Sequence, residues 1–556
     1  MSDYVGDFET TRNVSEDGII HMRVWLFDIC QIGAKFPHFT FETIEDGFNW
    51  LAQLDETPRV FFHNLKFDGS YIVDYLCRHG YEWTEKPSQP GDFYFLISDM
   101  GQWFHGKLIL KENGKTIEFL DSSKKIPLSV KRIGEKYGGD LLKGEIDYNL
   151  ERYPGYKPTK AEIDYIHRDT EIVARALQKH FSEGMTMLTI AGDAFAGLKK
   201  TVCDHYKKLG IMYMRQHPDV EEFCRLAYCG GISYVNPDIQ ERELGAGFVY
   251  DVNSLYPYVM SAYPYPVYNP IIIRSYMELD SCLWIAEFDI KAELIPGRLP
   301  TLRAGREWID RYFEGKVVLT SIDFEMMLEN YVVDYEFVRG YKWRDCDPDL
   351  FKEYVRYWGE RKMKDKGGDR EIDKLMLNSS YGKFGLNPIR QRKKARLAGE
   401  EDLVRYSVTP KETMKCNNVA IATFVTAYAR RELLRGVNQS VGFCYCDTDS
   451  VHLATIDGIP PSFSGDVDPV RLGAWKLEST FQRARYLRQK TYIEEDEHGI
   501  LTVKACGMPE ASKRFVTWEN FRMGASFPGK LLPMVRPGGV DLVETDFTIH
   551  ETTIRF

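Results

Sequence analysis

The sequence lacks the features that would assign it to a membrane, secreted or strongly basic protein class. Its 556 residues contain no uninterrupted apolar run long enough to span a bilayer. The amino terminus has no basic region followed by an apolar core and enters a predicted strand directly, which argues against secretion. The net charge of −10 argues against nonspecific polyanion binding by the whole surface, although a local basic channel stays compatible with it.

Paired cysteine motifs are also missing. The 11 cysteines are an odd number and are scattered without a C-x-x-C pair. Cys444 and Cys446 lie one residue apart on one predicted strand, where a disulfide would be badly strained. We therefore expect reduced thiols and no zinc site. The composition, 44% hydrophobic and 28% charged, is that of a soluble globular protein, and the length predicts several subdomains.

Two acidic residues lie at the predicted tip of a β-hairpin, where apolar residues lead into Asp447 and Asp449 and residues 451–453 lead away. Like charges this close repel unless a cation shares them, so a divalent metal ion is one explanation. An Asx-type turn that only reverses the chain is the alternative. The metal explanation is favoured because a second acidic strand end, at Asp251, completes a two-metal set.

A second set of carboxylates lies near the amino terminus. Asp7 and Glu9 are two residues apart, so on an extended strand both face one side. Asp68 follows a strand, a polar corner and the start of a helix, where a lone aspartate is usually an N-cap. Tyr165 and Asp169 lie at i and i+4 on one helix face. The set resembles the 3′–5′ proofreading exonucleases of the DnaQ-like, RNase H-like group, in which such carboxylates hold two divalent cations and the tyrosine orients the attacking water.

The block from Asp251 to Pro257, D-x-x-S-L-Y-P, resembles motif A of family B DNA polymerases. The resemblance implies that Asp251 binds both metal ions and that the carbonyl of Val252 adds a ligand. It also implies that Tyr256 lies under the incoming sugar, where a 2′-hydroxyl would clash. A core tyrosine in a turn is the alternative.

A polar stripe follows on the next predicted helix, where Arg370, Lys374, Asn378 and Tyr381 recur at helical spacing. Such a stripe is usually a solvated face. Here it matches motif B of the same polymerases, K-x(3)-N-S-x-Y-G, whose lysine grips the triphosphate while the tyrosine stacks by the nascent base pair. Lys362, one helical segment earlier, is a candidate second phosphate contact.

Two shorter motifs flank these blocks. Tyr228, Gly230 and Gly231 belong to a Y-x-G-G sequence whose glycines permit the backbone to approach a ligand closely, although a plain turn explains it equally well. The family resemblance implies that this ligand is DNA. Lys490 and Tyr492 are expected on one face of a strand, in a K-x-Y arrangement that resembles a primer-binding motif. The tail has the short β pattern of a small thumb, with residues 537–539 as a turn.

In this order the motifs resemble, nearly end to end, the protein-primed family B DNA polymerases of the small Bacillus-podovirus type. The resemblance implies an α/β and α+β multidomain fold, in which an RNase H-like (DnaQ-type) 3′–5′ exonuclease domain precedes a right-hand polymerase of palm, fingers and thumb. It implies these divisions: exonuclease domain 1–191, first palm part 192–262, first terminal-protein-region insertion 263–349, fingers 350–385, second insertion 386–417, second palm part 418–505 and thumb 506–556.

Further residue roles come from the resemblance alone. His63, Asn64 and Ser122 would hold the single-stranded 3′ end, and Lys143 would assist phosphodiester cleavage. Glu145 would be a metal ligand, although an aspartate is familiar at that position. Ser123 and Cys229 also depart from the family pattern. Ser123 bears on one apolar contact with the DNA strand. Cys229 bears on how DNA is partitioned between the two active sites.

The implied function is template-directed DNA synthesis with proofreading, using two divalent cations per active site, Mg²⁺ or alternatively Mn²⁺. The implied partners are primer-template DNA, single-stranded DNA, dNTPs and a priming terminal protein, with the chain a monomer or a heterodimer with that protein and no membrane partner. Strand-displacing replication of a linear phage genome would place it in the cytoplasm of an infected bacterial host. Two alternatives are a nuclease whose carboxy-terminal part only guides DNA, and a non-enzymatic DNA-binding scaffold. The intact set of Asp251, Lys374 and Asp449 argues against the first. The second predicts no dNTP incorporation on a primed template with Mg²⁺.

Overall fold

An eight-stranded mixed sheet organises the amino-terminal unit of the computed structural model, which describes residues 2–139, 141–147, 150–202, 218–305, 307–398, 403–414 and 417–550. The sheet has the order β3-β2-β1-β4-β8-β7-β6-β5, and β1 pairs antiparallel with β2 and parallel with β4. The elements of this unit are β1 Ser2–Val14, β2 Ile20–Gln31, β3 His38–Phe41, α1 Ile44–Gln53, β4 Pro58–Phe62, α2 Leu65–Arg78, β5 Glu82–Trp83, β6 Asp92–Ile97, β7 Trp103–Ile109, β8 Thr116–Asp121, α3 Val130–Tyr137 and α4 Lys160–Ser182.

Strand β2 is apolar along most of its length because both of its faces are covered. Leu26 packs with Ile166 of α4, whereas Phe27 packs with Phe62 in the core on the other face. Helix α4 begins with a reciprocal capping box between Thr159 and Glu162, which satisfies two of the backbone N–H groups that a helix start leaves unpaired. This fixes the helix that carries Tyr165 and Asp169.

A five-stranded sheet of order β27-β10-β25-β24-β9 forms the centre of the rest of the chain. Helix α11 packs beside it and is buried around nearly its whole circumference, as its apolar sequence predicts. The elements of this central unit are α5 Ile190–Thr201, α6 Pro218–Ala227, β9 Ser233–Val235, β10 Gly247–Val252, α7 Leu255–Ala262, α11 Val419–Asn438, β23 Ser440–Val441, β24 Phe443–Asp447, β25 Ser450–Ala454, β26 Ser462–Phe463 and β27 Trp475–Phe481.

Two further groups of elements lie between α7 and α11 along the chain. The first builds a four-stranded sheet, β12-β17-β13-β16, with its own apolar core. Helices α9 and α10 follow it, and a short hairpin segment completes the stretch. The elements are β11 Tyr265–Pro266, β12 Ile271–Ile273, β13 Leu283–Leu294, β14 Arg303–Ala304, β15 Glu307–Trp308, β16 Phe313–Thr320, α8 Ser321–Asn330, β17 Tyr331–Trp343, β18 Cys346–Asp347, α9 Lys352–Lys364, α10 Gly367–Ser379, β19 Ile389–Arg390, β20 Lys393–Ala398, β21 Leu403–Val408 and β22 Glu412–Thr413.

The carboxy-terminal segment forms a three-stranded sheet, a short helix and a long hairpin. Its elements are β28 Arg483–Arg488, β29 Thr491–Glu495, β30 Leu501–Ala505, α12 Glu510–Lys513, β31 Ser526–Arg536 and β32 Gly539–Thr548. The turn at residues 537–539 is confirmed, but its strands are 11 and 10 residues long rather than short. The prediction that Lys490 shares a strand face with Tyr492 is wrong. Lys490 lies in the β28–β29 turn at φ 56°, a left-handed conformation that a strand position does not use.

The β20–β21 hairpin and the β31–β32 hairpin both contact the amino-terminal unit. Ala395 of β20 and Val404 of β21 are buried in the same apolar core as Trp103 of β7. At the tip of the last hairpin, the N–H of Met22 donates to the carbonyl of Pro537 at 2.9 Å. Beside this bond the guanidinium of Arg12 makes a two-bond contact, 2.8 and 2.7 Å, with the carboxylate of Asp541. At its base, Phe527 and Phe547 are buried in one apolar core with Leu487 and Ile493. The long hairpin is therefore fixed at its tip as well as at its base.

No helix in the described ranges is long and apolar enough to cross a membrane. The nine cysteines within those ranges are free thiols, as the sequence predicts.

Candidate functional site: two clusters of carboxylates

The amino-terminal carboxylates converge from three elements. Asp7 and Glu9 project from β1, while Phe8 between them is buried in the apolar core. Asp68 lies in the first turn of α2, but Asn64 is the N-cap residue. Instead of capping the helix, the Oδ1 of Asp68 accepts a hydrogen bond from the N–H of Phe8 at 3.3 Å.

Burial and mutual repulsion destabilise the charged forms of these groups. Burial, followed by the charge of Asp169, raises the pKa of Asp7 to about 7. The pKa values of Glu9 and Asp68 are well above the usual range, for the same main cause and with Asp7 as the leading neighbour. The Oδ1 of Asp169 is buried without a hydrogen-bond partner among the described residues. An all-oxygen donor set with a buried orphan atom fits a hard divalent cation such as Mg²⁺ or Mn²⁺.

Lys143 and Tyr165 border this cluster. The Nζ of Lys143 lies 2.5 Å from the Oδ2 of Asp169 and 5.5 Å from the ring centre of Tyr165. Burial raises the pKa of Asp169, and the charge of Lys143 opposes that shift. Glu145 lies nearby in sequence on an exposed stretch of loop, so its role as a metal ligand stays a prediction.

The residues expected to hold a DNA strand lie beside the same cluster, but they differ in accessibility. The Nδ1 of His63 contacts the Oγ of Ser122 at 3.0 Å, and its Nε2 contacts the carbonyl of Leu128 at 2.7 Å. Ser122 is fully buried and also donates to the carbonyl of Phe62 at 3.1 Å. In this structure Ser122 therefore supports His63, whereas Asn64 is exposed. Direct contact between these residues and a strand stays a prediction.

One other group of nearby ligand atoms occurs among the described residues: Asp28, His38 and His167, all within 4.8 Å of one another. The two imidazole rings stack at 4.1 Å with only 16° between their planes. Because metal coordination uses the in-plane lone pair of each ring, parallel rings cannot both aim at one ion. Hydrogen bonds to Thr40 at 3.0 Å and Thr170 at 2.6 Å complete the surroundings of Asp28, so a buried hydrogen-bond network describes this group better.

The second carboxylate cluster lies in the central sheet. Asp251 is the penultimate residue of β10 and pairs in register with Ser450 of β25, while the N–H of Val252 donates to the carbonyl of Asp449 at 2.8 Å. Thr448 makes the hairpin tip with φ 61°. Burial, then repulsion from Asp449, raises the pKa of Asp251 to about 7. Burial, then Asp447, raises that of Asp449 to about 6.

Asp447 differs from its two neighbours. Both of its carboxylate oxygens accept hydrogen bonds from the Nζ of Lys490, each at 2.8 Å. The left-handed turn that removes Lys490 from the predicted strand is what brings this amine to Asp447. Asp447 is therefore already charge-compensated, while Asp251 and Asp449 are the pair without a cationic hydrogen-bond partner among the described residues.

The predicted nucleotide residues share one cleft of about 770 Å³ with Asp251, Val252 and Asp449. The rings of Tyr256 and Tyr381 stack at 4.5 Å on its wall. The Nζ of Lys362 donates to the Oγ of Ser254 at 2.9 Å. The residues expected in this cleft and found there are Asp251, Val252, Tyr256, Lys362, Arg370, Lys374, Asn378, Tyr381 and Asp449.

The Y-x-G-G loop lies against the hairpin tip. A Cβ on Gly231 would come 2.8 Å from the side chain of Thr448, whereas one on Gly230 would meet nothing within 4 Å. The N–H of Thr448 donates to the carbonyl of Ile232 at 2.7 Å. The ring of Tyr228 packs on Gly385, and Tyr492 packs beside Tyr445 at 5.2 Å between ring centres.

The sequence motifs did not reveal several residues around this site. Arg430 is buried and donates to the carbonyls of Cys229 and Gly230 at 2.8 and 2.9 Å. It also makes a two-oxygen contact with Asp323 at 2.7 and 3.0 Å. Arg132 and Lys136 reach the nucleotide cleft from α3. Each contact joins distant segments, and no local signal could have found them.

Comparison with known proteins gives a consistent result. Residues 55–458 match the family described as DNA polymerase type B, organellar and viral. The chain is 34% identical to the DNA polymerases of Bacillus phages B103 and phi29, covering 98% of each chain. It is 30% identical to the DNA polymerase of Streptococcus phage Cp-1, covering 99% of each chain.

Solved structures agree with these matches. Phi29 DNA polymerase complexed with primer-template DNA superposes with a TM-score of 0.88 and 32% identity, over 99% of this chain and 100% of that chain. The same enzyme complexed with single-stranded DNA gives a TM-score of 0.87 at 32% identity and the same coverage. The expected family and fold class are confirmed.

Proposed function

The chain belongs to the type B DNA polymerases of the organellar and viral family, and from this we propose that its two carboxylate clusters carry two separate activities. The central cluster carries template-directed DNA synthesis. The amino-terminal cluster carries 3′–5′ proofreading. The observation that supports the first assignment most directly is the single cleft that joins Asp251 and Asp449 to the cationic stripe of α10.

In the synthesis site, Asp251, Asp449 and the carbonyl of Val252 would hold two divalent cations. When bound, these supply charge stabilisation at the attacking and leaving oxygens. The primer 3′ oxygen forms a bond to the α-phosphorus as the bond from that phosphorus to the pyrophosphate oxygen breaks. Lys362, Arg370 and Lys374 carry the positive charge that meets the triphosphate.

The stacked pair of Tyr256 and Tyr381 forms the wall against which the incoming sugar and base are placed. A 2′-hydroxyl would meet the ring of Tyr256, so the wall selects deoxynucleotides. Asn378 lies one turn after Lys374 on α10 and lines the same cleft as the two tyrosines. It orients the nucleotide by hydrogen bonding.

In the proofreading site, four carboxylates would hold two divalent cations: Asp7, Glu9, Asp68 and Asp169. Tyr165 orients the attacking water, and Lys143 neutralises charge beside Asp169. The bond from water oxygen to phosphorus forms as the bond to the 3′ oxygen of the penultimate nucleotide breaks. His63 and Asn64, with Ser122 behind them, receive the single strand, and Glu145 is a further ligand candidate.

DNA is proposed to run between the two clusters. Tyr228, Gly230, Gly231, Lys490 and Tyr492 border the primer side of the central site. The divisions at residues 191, 262, 349, 385, 417 and 505 are proposed as the domain limits of this polymerase. Phi29 DNA polymerase, its structural neighbour, is known in complex with primer-template DNA and incoming nucleotide substrates, and the same ligands are proposed here.

Initiation is proposed to use the hydroxyl of a terminal protein as primer, with the chain acting alone or as a heterodimer with that protein in the cytoplasm of an infected bacterium. Strand-displacing copying of a linear genome would follow. The insertion at 263–349, with its own core, offers a separate surface for such a partner. Failure to form a nucleotidyl–protein adduct with the purified terminal protein and a dNTP would refute protein priming.

Primer extension and single-strand degradation test the two-site assignment. Wild type with Mg²⁺ should extend a primed template and shorten a single-stranded oligonucleotide. Asp449→Ala should abolish extension and leave degradation, whereas Asp7→Ala should do the reverse. A nuclease that only guides DNA would show no extension by any variant, and a binding scaffold would show neither reaction.

A further inference from the structure

Two cationic side chains of the amino-terminal unit lie where the central unit is proposed to bind nucleotide. Arg132 and Lys136 come from α3, yet they line the same cleft as Asp251, Lys374 and Asp449. The exonuclease motifs do not involve them, and the D-x-x-S-L-Y-P block begins more than a hundred residues later. Arg132 and Lys136 reach the cleft because the amino-terminal unit packs against the central unit.

Helix α3 is held by both units. Ile133 is fully buried in the amino-terminal core. On the other side, the ring of Tyr137 packs on Gly368 at the start of α10, where an added Cβ would lie 2.5 Å from a ring carbon. The carbonyl of Lys136 lies beside Gly367. Because α10 carries Arg370 and Lys374 within its next two turns, α3 and α10 form one cationic wall.

The charges of this wall are poorly compensated within the protein. Arg132 pairs with Glu135 on its own helix at 3.3 Å, but the two side chains are 60% and 38% exposed, and pairs of this kind contribute little. Lys136 and Lys374 have no hydrogen-bond or ion-pair partner among the described residues. Burial, and then the charges of Arg370 and Lys374, lower the pKa of Lys362 in the same cleft. Of the carboxylates that α3 and α10 carry, Glu371 is the one that lines the cleft.

The size and polarity of the cleft indicate which polyanion would compensate these charges. About 770 Å³ is the volume of a site for a small ligand and cannot contain a duplex. Asp251 and Asp449 mark the place of the reacting α-phosphate. Arg132 and Lys136, exposed on α3 and lining the same cleft, are then available to the phosphates that leave.

We propose that Arg132 and Lys136 bind the β- and γ-phosphates of the incoming nucleoside triphosphate, and the pyrophosphate before its release. The inference rests on the proposed synthesis site and extends it across the boundary between the two units. The amino-terminal unit is thereby a part of the nucleotide site, and nucleotide binding joins it to α10.

Single-nucleotide insertion on a fixed primer-template tests the proposal. The R132A/K136A variant should raise the KM for dNTP about ten-fold, about three-fold for each exposed phosphate contact, while kcat changes by less than about two-fold. The KM of the variant should also depend less steeply on salt, because two screened attractions are gone. The KM for pyrophosphate in the reverse reaction should rise in parallel.

Lys131→Ala is the matched control, since Lys131 is exposed on the same helix but does not line the cleft. Its KM should equal that of wild type. Degradation of a single-stranded oligonucleotide by R132A/K136A should also equal that of wild type, which shows that the amino-terminal unit is intact. If that activity falls, the R132Q/K136Q pair, which removes the charges but keeps polar side chains, gives the deciding KM.

An unchanged KM for dNTP in the double variant would overturn the proposal. Weakened primer-template affinity at unchanged KM would also overturn it, and would assign the two cations to the DNA backbone. Wild type that cannot extend a primer at all would refute the synthesis site itself, so failure of the two proposals is distinguishable.

Discussion

The carboxylates of the central cluster are the residues on which pH acts most directly. Burial, followed by the charge of a neighbouring carboxylate, raises the pKa of Asp251 to about 7 and that of Asp449 to about 6; the neighbour is Asp449 for the first and Asp447 for the second. A carboxylate whose pKa is raised by folding binds more protons in the native state than in the unfolded state. Stability is therefore lost as pH rises through the interval from the unfolded pKa to the folded one.

This loss of stability with rising pH should be visible in thermal denaturation. Without divalent metal, the melting temperature should fall between about pH 4 and about pH 7, and the rise in melting temperature on adding Mg²⁺ should be larger at the higher pH. Thermal denaturation followed by intrinsic fluorescence measures both. Asp251→Asn with Asp449→Asn should make the metal-free profile less steep and shrink the Mg²⁺ effect, and the remainder of both belongs to the amino-terminal carboxylates. Equal Mg²⁺ stabilisation at both pH values would contradict the prediction.

Replacement of Arg430 should lower the free energy of unfolding by a measurable amount. Its guanidinium is 1% exposed and has no access to water that could replace Asp323 and the carbonyls of the Y-x-G-G loop. Arg430→Met should destabilise the protein by about 3–5 kcal/mol, because Asp323 is left charged, buried and unpaired. The measurement is the melting temperature at constant pH.

The matched double variant, Arg430→Met with Asp323→Leu, should recover part of this loss because it leaves no buried charge alone. A double variant as unstable as the single one would show that the lost hydrogen bonds to the loop carbonyls dominate.

At the scale of elements, the Y-x-G-G loop can approach the D-T-D hairpin closely because Gly231 has no side chain. Gly231→Ala would place a Cβ 2.8 Å from Thr448, so the loop or the hairpin must shift, whereas Gly230→Ala meets open space. Gly231→Ala should lower the melting temperature and the rate of nucleotide insertion. Gly230→Ala should leave the melting temperature within about one degree of wild type. Equal melting temperatures for the two variants would contradict the close contact.

Local sequence signals were sufficient for elements whose structure depends on neighbours in the chain. The strand of Asp7 and Glu9, the helix of Tyr165 and Asp169, and the D-T-D hairpin all have the expected form. In each case side-chain alternation, helical spacing or a turn specifies the conformation. The family resemblance supplied the order of the units.

Long-range contacts were beyond such signals. The bond from Lys490 to Asp447 spans 43 residues, that from Arg430 to Asp323 spans 107 and that from Arg12 to Asp541 spans 529. Strand alternation placed Lys490 on a strand, but the left-handed turn that the carboxylate of Asp447 stabilises overrides it. Burial of Ser122 behind His63 likewise depends on packing that no motif encodes.

At the scale of the whole molecule, the last hairpin connects the two ends of the chain. Arg12 and Asp541 form its ion pair, with side chains 50% and 2% exposed. Arg12→Ala leaves Asp541 buried without its principal partner and should loosen the hairpin tip. Products made in a single binding event should become several-fold shorter, while insertion of one nucleotide stays at the wild-type rate.

A primer-extension assay with a DNA trap measures product length per binding event. The exchange variant Arg12→Asp with Asp541→Arg should restore longer products if the ion pair itself holds the tip. Wild-type product lengths from Arg12→Ala would show that the backbone bond from Met22 to Pro537 is sufficient.

A hairpin attached at both base and tip has a topological effect on whatever lies beneath it. A nucleic-acid strand in that space is enclosed by the hairpin. It can leave only if it slides until its own end passes out, or if the hairpin tip detaches. Dissociation then requires a conformational opening in addition to the loss of contacts, so the lifetime of the complex is set by the tip. Linear DNA, which offers a terminus for entry, is the template that such an enclosure admits most readily.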